Sequence, residues 1–204
     1  MIKAILFDFD GVLTVDKTGS RSVLNYISKA TGVPFDTLKT KYYKYNERLL
    51  NGQLTHKEIW GDFCNNLGHD IEYFVLIDSF RHTPLDSEML DLVKELKSEY
   101  KIGMVTDNKC DRINEILSHY KLSGLFDTVS VSAEYKSGKK SAYIFSKTAE
   151  KLAVAPEDCI FIDNTAKNLI AAKQIGMKTI LFDDENRNIN EFKKQLYDII
   201  ESSL

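Results

Sequence analysis

The 204 residues suffice for one large domain or a core with a modest insert, and 43% hydrophobic with 28% charged residues is ordinary globular usage that excludes a disordered chain. The 27 basic and 30 acidic side chains leave a net charge of -3 with no long basic block, which argues against nucleic acid or an anionic membrane as partner. No uninterrupted apolar stretch approaches the ~18 to 20 residues needed to span a bilayer.

Ile2 to Phe7 is a short apolar run that reads as a buried strand, ending in two acids, Asp8 and Asp10, followed by Gly11. These acids interrupt the run too early for a secretory signal, so a cytoplasmic protein is expected. Residues two apart on an extended chain share a face, and both acids can therefore point into one site beyond the strand's C-terminal end. Neighbouring carboxylates repel, so one would keep its proton unless a cation joined them. The pair points to metal-assisted acid chemistry; the plain alternative is a strand end where acids meet solvent.

From residue 15 the pattern turns helical. Val23, Leu24 and Ile27 form an apolar face ended by Thr31-Gly32 and Pro34. Leu38, Tyr42, Tyr45 and Leu49 recur at helical spacing up to Asn51-Gly52, and Thr55 with Glu58 has the spacing of a capping box opening a helix whose Ile59, Trp60, Phe63 and Leu67 face inward. Ile71 to Phe80 makes a fourth helix. Residues 15–83 thus read as a helical insert, and 1–14 with 84–204 as one core.

After Pro84 strands and helices alternate. Helical faces at Met89 to Leu96, Ile113 to Tyr120, Ala142 to Leu152, 166–175 and Ile189 to Ile199 separate strands at Ile102 to Thr106, Asp127 to Ser132, Ile160 to Asp163 and Lys178 to Phe182. Repeated β-α-β units predict a Rossmann-like three-layer α/β/α core with a parallel sheet, whose ligands bind beyond the strands' carboxyl ends. The polar residues there are Asp8 and Asp10, then Thr106-Asp107-Asn108, then Glu134 and Lys139, then Asp163-Asn164, then Asp183-Asp184. All are expected to converge.

An acid pair, a hydroxyl, a lysine and a further acid suit phosphoryl transfer. A carboxylate can attack phosphorus and form an aspartyl phosphate, dividing one displacement into two. Asp8 is the candidate nucleophile and Asp10 the candidate proton carrier for the departing alkoxide and then for the attacking water. Magnesium, which favours oxygen ligands, suits Asp8 and Asp163, Lys139 supplies further positive charge, and Thr106 with nearby N–H groups can hold phosphoryl oxygens. Taken singly, Thr106 is an ordinary strand-end residue, Lys139 part of a solvated basic turn, and Asp183-Asp184 turn acids. Cys64, Cys110 and Cys159 lack a C-x-x-C pairing, and the histidines at 56, 69, 82 and 119 lack metal-ligand spacing, so all read as structural. Tyr42, Tyr43 and Tyr45 either shape a substrate pocket or pack.

With these residues in view, the chain resembles the haloacid dehalogenase-like hydrolases, in particular phosphatases with a helical cap inserted after the first motif. Asp8-Phe9-Asp10-Gly11-Val12-Leu13 resembles the family's D-x-D-G-x-[LV], Met104-Val105-Thr106 its second motif, and Phe161-Ile162-Asp163-Asn164 its fourth. Ile144-Phe145, five and six residues on, select Lys139 as the third-motif lysine, with Lys140 where Pro is usual. The resemblance implies magnesium held by Asp8, Asp163 and the backbone carbonyl of Asp10, with Thr106, Asp107 and Lys139 at the substrate. Asp107 stands where Asn is common and should repel phosphate unless it points away or meets a sugar hydroxyl; Asn164 replaces a second acid. The implied function is a phosphomonoesterase acting on a small phosphorylated metabolite such as a sugar phosphate or nucleotide. A phosphosugar mutase or a non-catalytic phospho-acceptor module are the alternatives.

Overall fold

The computed structural model describes residues 1–203. Strand β1 (Ala4–Phe7) is buried along its whole length and is the middle strand of the sheet. Four helices follow, α1 (Gly19–Thr31), α2 (Phe35–Leu50), α3 (His56–Leu67) and α4 (Tyr73–Arg81), and then α5 (Ser87–Leu96) leads to β2 (Lys101–Thr106). The chain continues through α6 (Cys110–His119), β3 (Thr128–Val131), α7 (Ser132–Tyr135), α8 (Ala142–Lys151), β4 (Cys159–Asp163), α9 (Leu169–Gln174), β5 (Lys178–Leu181) and α10 (Ile189–Glu201). The five strands are all parallel in the order β3-β2-β1-β4-β5. Among the described residues no helix is long and apolar enough to cross a membrane.

Strand alternation assigns the two faces. Ala4 and Leu6 pack with Ile144, Phe145 and Ala172 of α8 and α9. Ile5 and Phe7 pack with Leu92, Ile113 and Leu196 of α5, α6 and α10. This second cluster runs on into the helical segment through Leu24, Leu38, Tyr42, Phe63 and Phe80, so α1 to α4 share a core with one face of the sheet. The segment leaves and rejoins the sheet at one point: the Val15 N–H donates to Pro84 O (2.9 Å) and the Asp86 N–H to Leu13 O (3.0 Å). Its punctuation is local. Thr55 and Glu58 form the expected capping box, and Gly32 and Gly68 close α1 and α3 at φ 74° each.

Three elements differ from expectation. The third strand is Thr128–Val131, because the Asp127 carboxylate accepts the Ile102 N–H (2.7 Å) and Ser132 opens α7. Residues 166–175 begin with a tight turn, Ala166–Asn168, before α9. The last helix buries Ile200 rather than Ile199, which is four residues from Leu196 and so lies on the same face.

Candidate active site

A cleft of about 330 Å³ lies past the C-terminal ends of β1, β2 and β4, roofed by the start of α1 and by Tyr43, Asn46 and Leu50 of α2. Asp8, Asp10, Thr106, Asp107 and Lys139 all line it. Asp163, fully buried, reaches it through Lys139, whose ammonium lies 2.7 Å from Asp8 Oδ2 and 2.6 Å from Asp163 Oδ2. Lys140 stays exposed, so the lysine in the cleft is Lys139.

Each partner is fixed by backbone. Asp8 Oδ1 accepts the Phe9 N–H (2.7 Å), and Asp163 Oδ1 accepts the Thr165 N–H (2.7 Å). Asn168 Nδ2 lies 3.2 Å from both Asp163 oxygens. Burial, with Asp163 and Asp10 adding to it, pushes Asp8 up to about 7 against the pull of Lys139. Burial works against the Lys139 charge, yet Asp8, Asp163 and Asp107 hold it above its ordinary value.

Asp107 lines the cleft with one of its oxygens turned to the lysine loop. Its Oδ1 accepts the backbone N–H of Lys139 (2.8 Å), and a Cβ on Gly138 would sit 2.8 Å from that oxygen, so a glycine lets the loop close onto the carboxylate. Asp107 therefore anchors the lysine loop. Asn164 donates to Asp184 (2.9 Å) and packs so closely on Gly11 (φ 82°) that a Cβ there would lie 2.2 Å from its Nδ2.

Asp10 faces the other side of the cleft. Arg112, on the first turn of α6 and almost wholly buried, grips it with two bonds, Nη2 to Oδ1 and Nη1 to Oδ2, each 2.9 Å. Asn108 Nδ2 adds a bond to Oδ2 at 2.7 Å and lies 3.3 Å from Thr106 Oγ1. Beside them Lys109 is buried, 3.3 Å from Ser20 Oγ.

Glu134 and Asp183 do not converge on the site. Glu134 lies 3.6 Å from Lys151, and Asp183 accepts the N–H groups of Glu185 and Asn186 in its own turn. The residues that sequence reasoning misses are Ser20, Asn108 as an Asp10 partner, Lys109, Arg112 and Asn168. The available signal was polar residues in the first helical turn after a strand end, which in a parallel sheet faces the ligand crevice. Of the three tyrosines, Tyr43 lines the cleft and Tyr42 is buried, where its hydroxyl meets His56 Nε2 (2.7 Å); His56 Nδ1 lies 2.7 Å from Asp111 Oδ2.

The donor set fits magnesium. Two buried carboxylates, with Asp10 nearby, share a single ammonium, which leaves the pair one positive charge short. Among the described residues no group of three or more His, Cys, Asp or Glu side chains is arranged to hold a metal. A site of two carboxylates suits an ion that keeps several of its waters.

Comparison with known proteins agrees with the fold. Residues 2–176 match the family model for haloacid dehalogenase-like hydrolases. The YhcW protein of Bacillus subtilis is 25% identical over 194 residues, covering 89% of this chain and 83% of that protein. The phosphorylated carbohydrates phosphatase of Thermotoga maritima is 24% identical over 184 residues, covering 88% and 84%. Among solved structures, the magnesium complex of a HAD family enzyme from Bacteroides thetaiotaomicron superposes with a TM-score of 0.76 at 19% identity, covering 94% of this chain and 98% of that one. With its family model spanning most of the sequence, the chain belongs to the haloacid dehalogenase-like hydrolases.

Proposed function

We propose that the protein is a cytoplasmic, magnesium-dependent phosphomonoester hydrolase that acts on a small phosphorylated metabolite through an aspartyl phosphate on Asp8. The observation that carries this reading is the Asp8–Lys139–Asp163 bridge at the floor of a cleft that Asp10 also lines. The Thermotoga relative, named for phosphorylated carbohydrates, and the magnesium-bound Bacteroides neighbour support it.

In this mechanism an Asp8 carboxylate oxygen attacks phosphorus as the bond to the leaving oxygen breaks, and Asp10 gives that oxygen a proton. Asp10 then takes a proton from water, the water oxygen bonds to phosphorus, and the acyl-phosphate bond breaks to return Asp8 and free phosphate. Oδ2 of Asp10 accepts two hydrogen bonds and Oδ1 only one, so Oδ1 is the atom with room for the transferred proton. Lys139 offsets charge between the attacking carboxylate and the phosphoryl group, and Thr106 with adjacent N–H groups holds phosphoryl oxygens. Asp8, Asp163 and the Asp10 carbonyl would hold magnesium, which when bound neutralises the carboxylates and polarises the phosphoryl group. Residues 15–83 act as the cap over a core of 1–14 and 84–204, with Lys17 to Ser20 and Tyr43 facing the leaving group.

The test is a phosphate-ester panel with and without magnesium. Turnover that needs the ion, is lost in EDTA and returns on adding magnesium is expected; a protein inactive across the panel would sink the reading.

A further inference from the structure

The cleft has a second cationic pole that the reaction above does not use. Lys109 is 6% exposed and lines the same cleft as Asp8, Thr106 and Lys139. Among the described residues its ammonium has one polar partner, Ser20 Oγ at 3.3 Å, and otherwise lies 5.7 Å from the centre of the Tyr42 ring. Ser20 is itself buried and donates to Asn46 Oδ1 (3.4 Å), leaving its oxygen to accept from Lys109.

The neighbouring acids are engaged elsewhere. Both Asp10 oxygens accept from Arg112 and one also from Asn108, while Asp111 takes His56 on Oδ2 and the Arg112 N–H on Oδ1. An ammonium with three donors and a single hydroxyl partner is under-satisfied in a buried position. Burial, and Arg112 beside it, pull Lys109 down to about 7 although Asp10 and Asp111 oppose them.

A second feature converges on the same spot. Helix α1 begins at Gly19 with no acid within its first turn and no side-chain cap from Thr18, and the two acids near that end are engaged by other groups, Asp16 by the Ser22 hydroxyl (2.7 Å) and Asp10 by Arg112. Gly19 brings that end close: a Cβ there would lie 2.2 Å from Arg112 Nη1 and 2.7 Å from Asp10 Oδ2. Of the other lysines lining the cleft, Lys17 already pairs with Asp184 (3.2 Å) and Glu185 (3.0 Å), and Lys167 is exposed.

We infer that Lys109, Ser20 and the first turn of α1 bind a second anionic group, a carboxylate or a phosphate, on the leaving-group side of the substrate. The inference rests on the phosphatase reading and narrows it to phosphate esters that carry another negative charge. Such a group completes the hydrogen bonding of the ammonium and occupies the helix end at once. A substrate with a neutral leaving group leaves both unfilled.

Three six-carbon probes separate the possibilities: fructose 6-phosphate, 6-phosphogluconate with its carboxylate, and fructose 1,6-bisphosphate with its second phosphate. The native protein with magnesium is expected to favour at least one anionic probe over fructose 6-phosphate by about tenfold or more in kcat/KM, carried mainly by KM. Whichever anionic probe leads identifies the group. Lys109→Met is expected to reduce that selectivity ratio by roughly 10- to 100-fold, and Ser20→Ala by about twofold to threefold. Ratios are taken within one preparation, so the folded fraction cancels; should Lys109→Met fail to fold, the native preference and the Ser20→Ala ratio decide. Equal turnover of the three probes by the native protein, or a ratio unmoved in the variants, overturns the inference and leaves the phosphatase reading intact. No turnover of these esters or of p-nitrophenyl phosphate overturns both.

Discussion

Around Asp8 two buried carboxylates share one ammonium, whereas around Asp10 a guanidinium grips one carboxylate and a second ammonium, Lys109, stands without an acid of its own. The first end of the cleft is short of positive charge and the second has it to spare. Groups to be added from outside follow from that difference: a cation and a phosphoryl group at one end, an anion at the other. The two carboxylates, separated by one residue, are thereby suited to unlike work, and each end can be disturbed independently.

The largest effect is expected at the cation-poor end. Asp8→Asn removes the attacking oxygen but keeps the Phe9 N–H partner, and should lower kcat by roughly four orders of magnitude while circular dichroism and melting stay native-like. Retained turnover would move the nucleophile elsewhere. Next comes Arg112→Met, which leaves Asp10 with one side-chain partner, Asn108. Breaking a buried ion pair from one side costs about 3 to 5 kcal/mol, or a melting midpoint lower by roughly 10 °C in a domain of this size. Activity at a temperature where the variant is still folded should fall by about 100-fold, with the loss in kcat. A variant melting like the native protein would show that Arg112 does not hold Asp10. Asp107→Ala is milder: the Lys139 amide loses its carboxylate, the loop loosens, and about tenfold in kcat/KM is expected, with Asp107→Asn recovering most of it because an amide oxygen can still accept.

The two ends also differ in how far sequence reveals them. Asp8, Thr106, Asp107 and Asp163 each sit at or just past the end of an apolar run, so a two-residue period and the ligand rule for parallel sheets suffice to gather them. Lys139 is selected by the resemblance of Ile144-Phe145, five and six residues on, to the family's third motif, and the Thr55–Glu58 box comes from spacing within one helix turn. Arg112 is different. In sequence it is a cation at the start of an amphipathic helix, the usual place for a solvated residue; it is buried because α1 begins at a glycine directly over it and Asp10 lies opposite. Lys109 and Ser20 likewise meet 89 residues apart, where the start of α1 approaches the N-terminal end of α6. A periodicity argument fixes which face of a helix turns inward but not what that face meets. For the same reason it could not tell that the Asp107 carboxylate turns to the 138–139 backbone.

The smallest effect belongs to the link between the helical segment and the Asp10 end. His56 of α3 is fully buried, with Nδ1 facing Asp111 of α6 and Nε2 facing the Tyr42 hydroxyl, which assigns the proton to Nδ1 and leaves Nε2 to accept. Burial lowers its proton affinity below the usual 6.5; Asp111 opposes the shift, while Lys109 and Arg112 add to it. Below about 6.5 the unfolded chain therefore takes up a proton that the folded chain refuses, and stability contributed by neutral His56 is lost as pH falls. Asp8, raised to about 7, acts with the opposite sign: between 3.8 and 7 the folded chain keeps a proton that the unfolded one releases, so its share of stability falls as pH rises. A single melting curve mixes the two. The difference between the native protein and His56→Gln removes Asp8, which both share, and isolates the histidine. That difference should be constant above pH 7 and shrink in favour of the variant from about 6.5 downward; parallel curves from pH 7 to 5 would mean that burial leaves the proton affinity of His56 unchanged, and a difference that grows toward low pH would mean that His56 is protonated in the fold and paired with Asp111 as an ion.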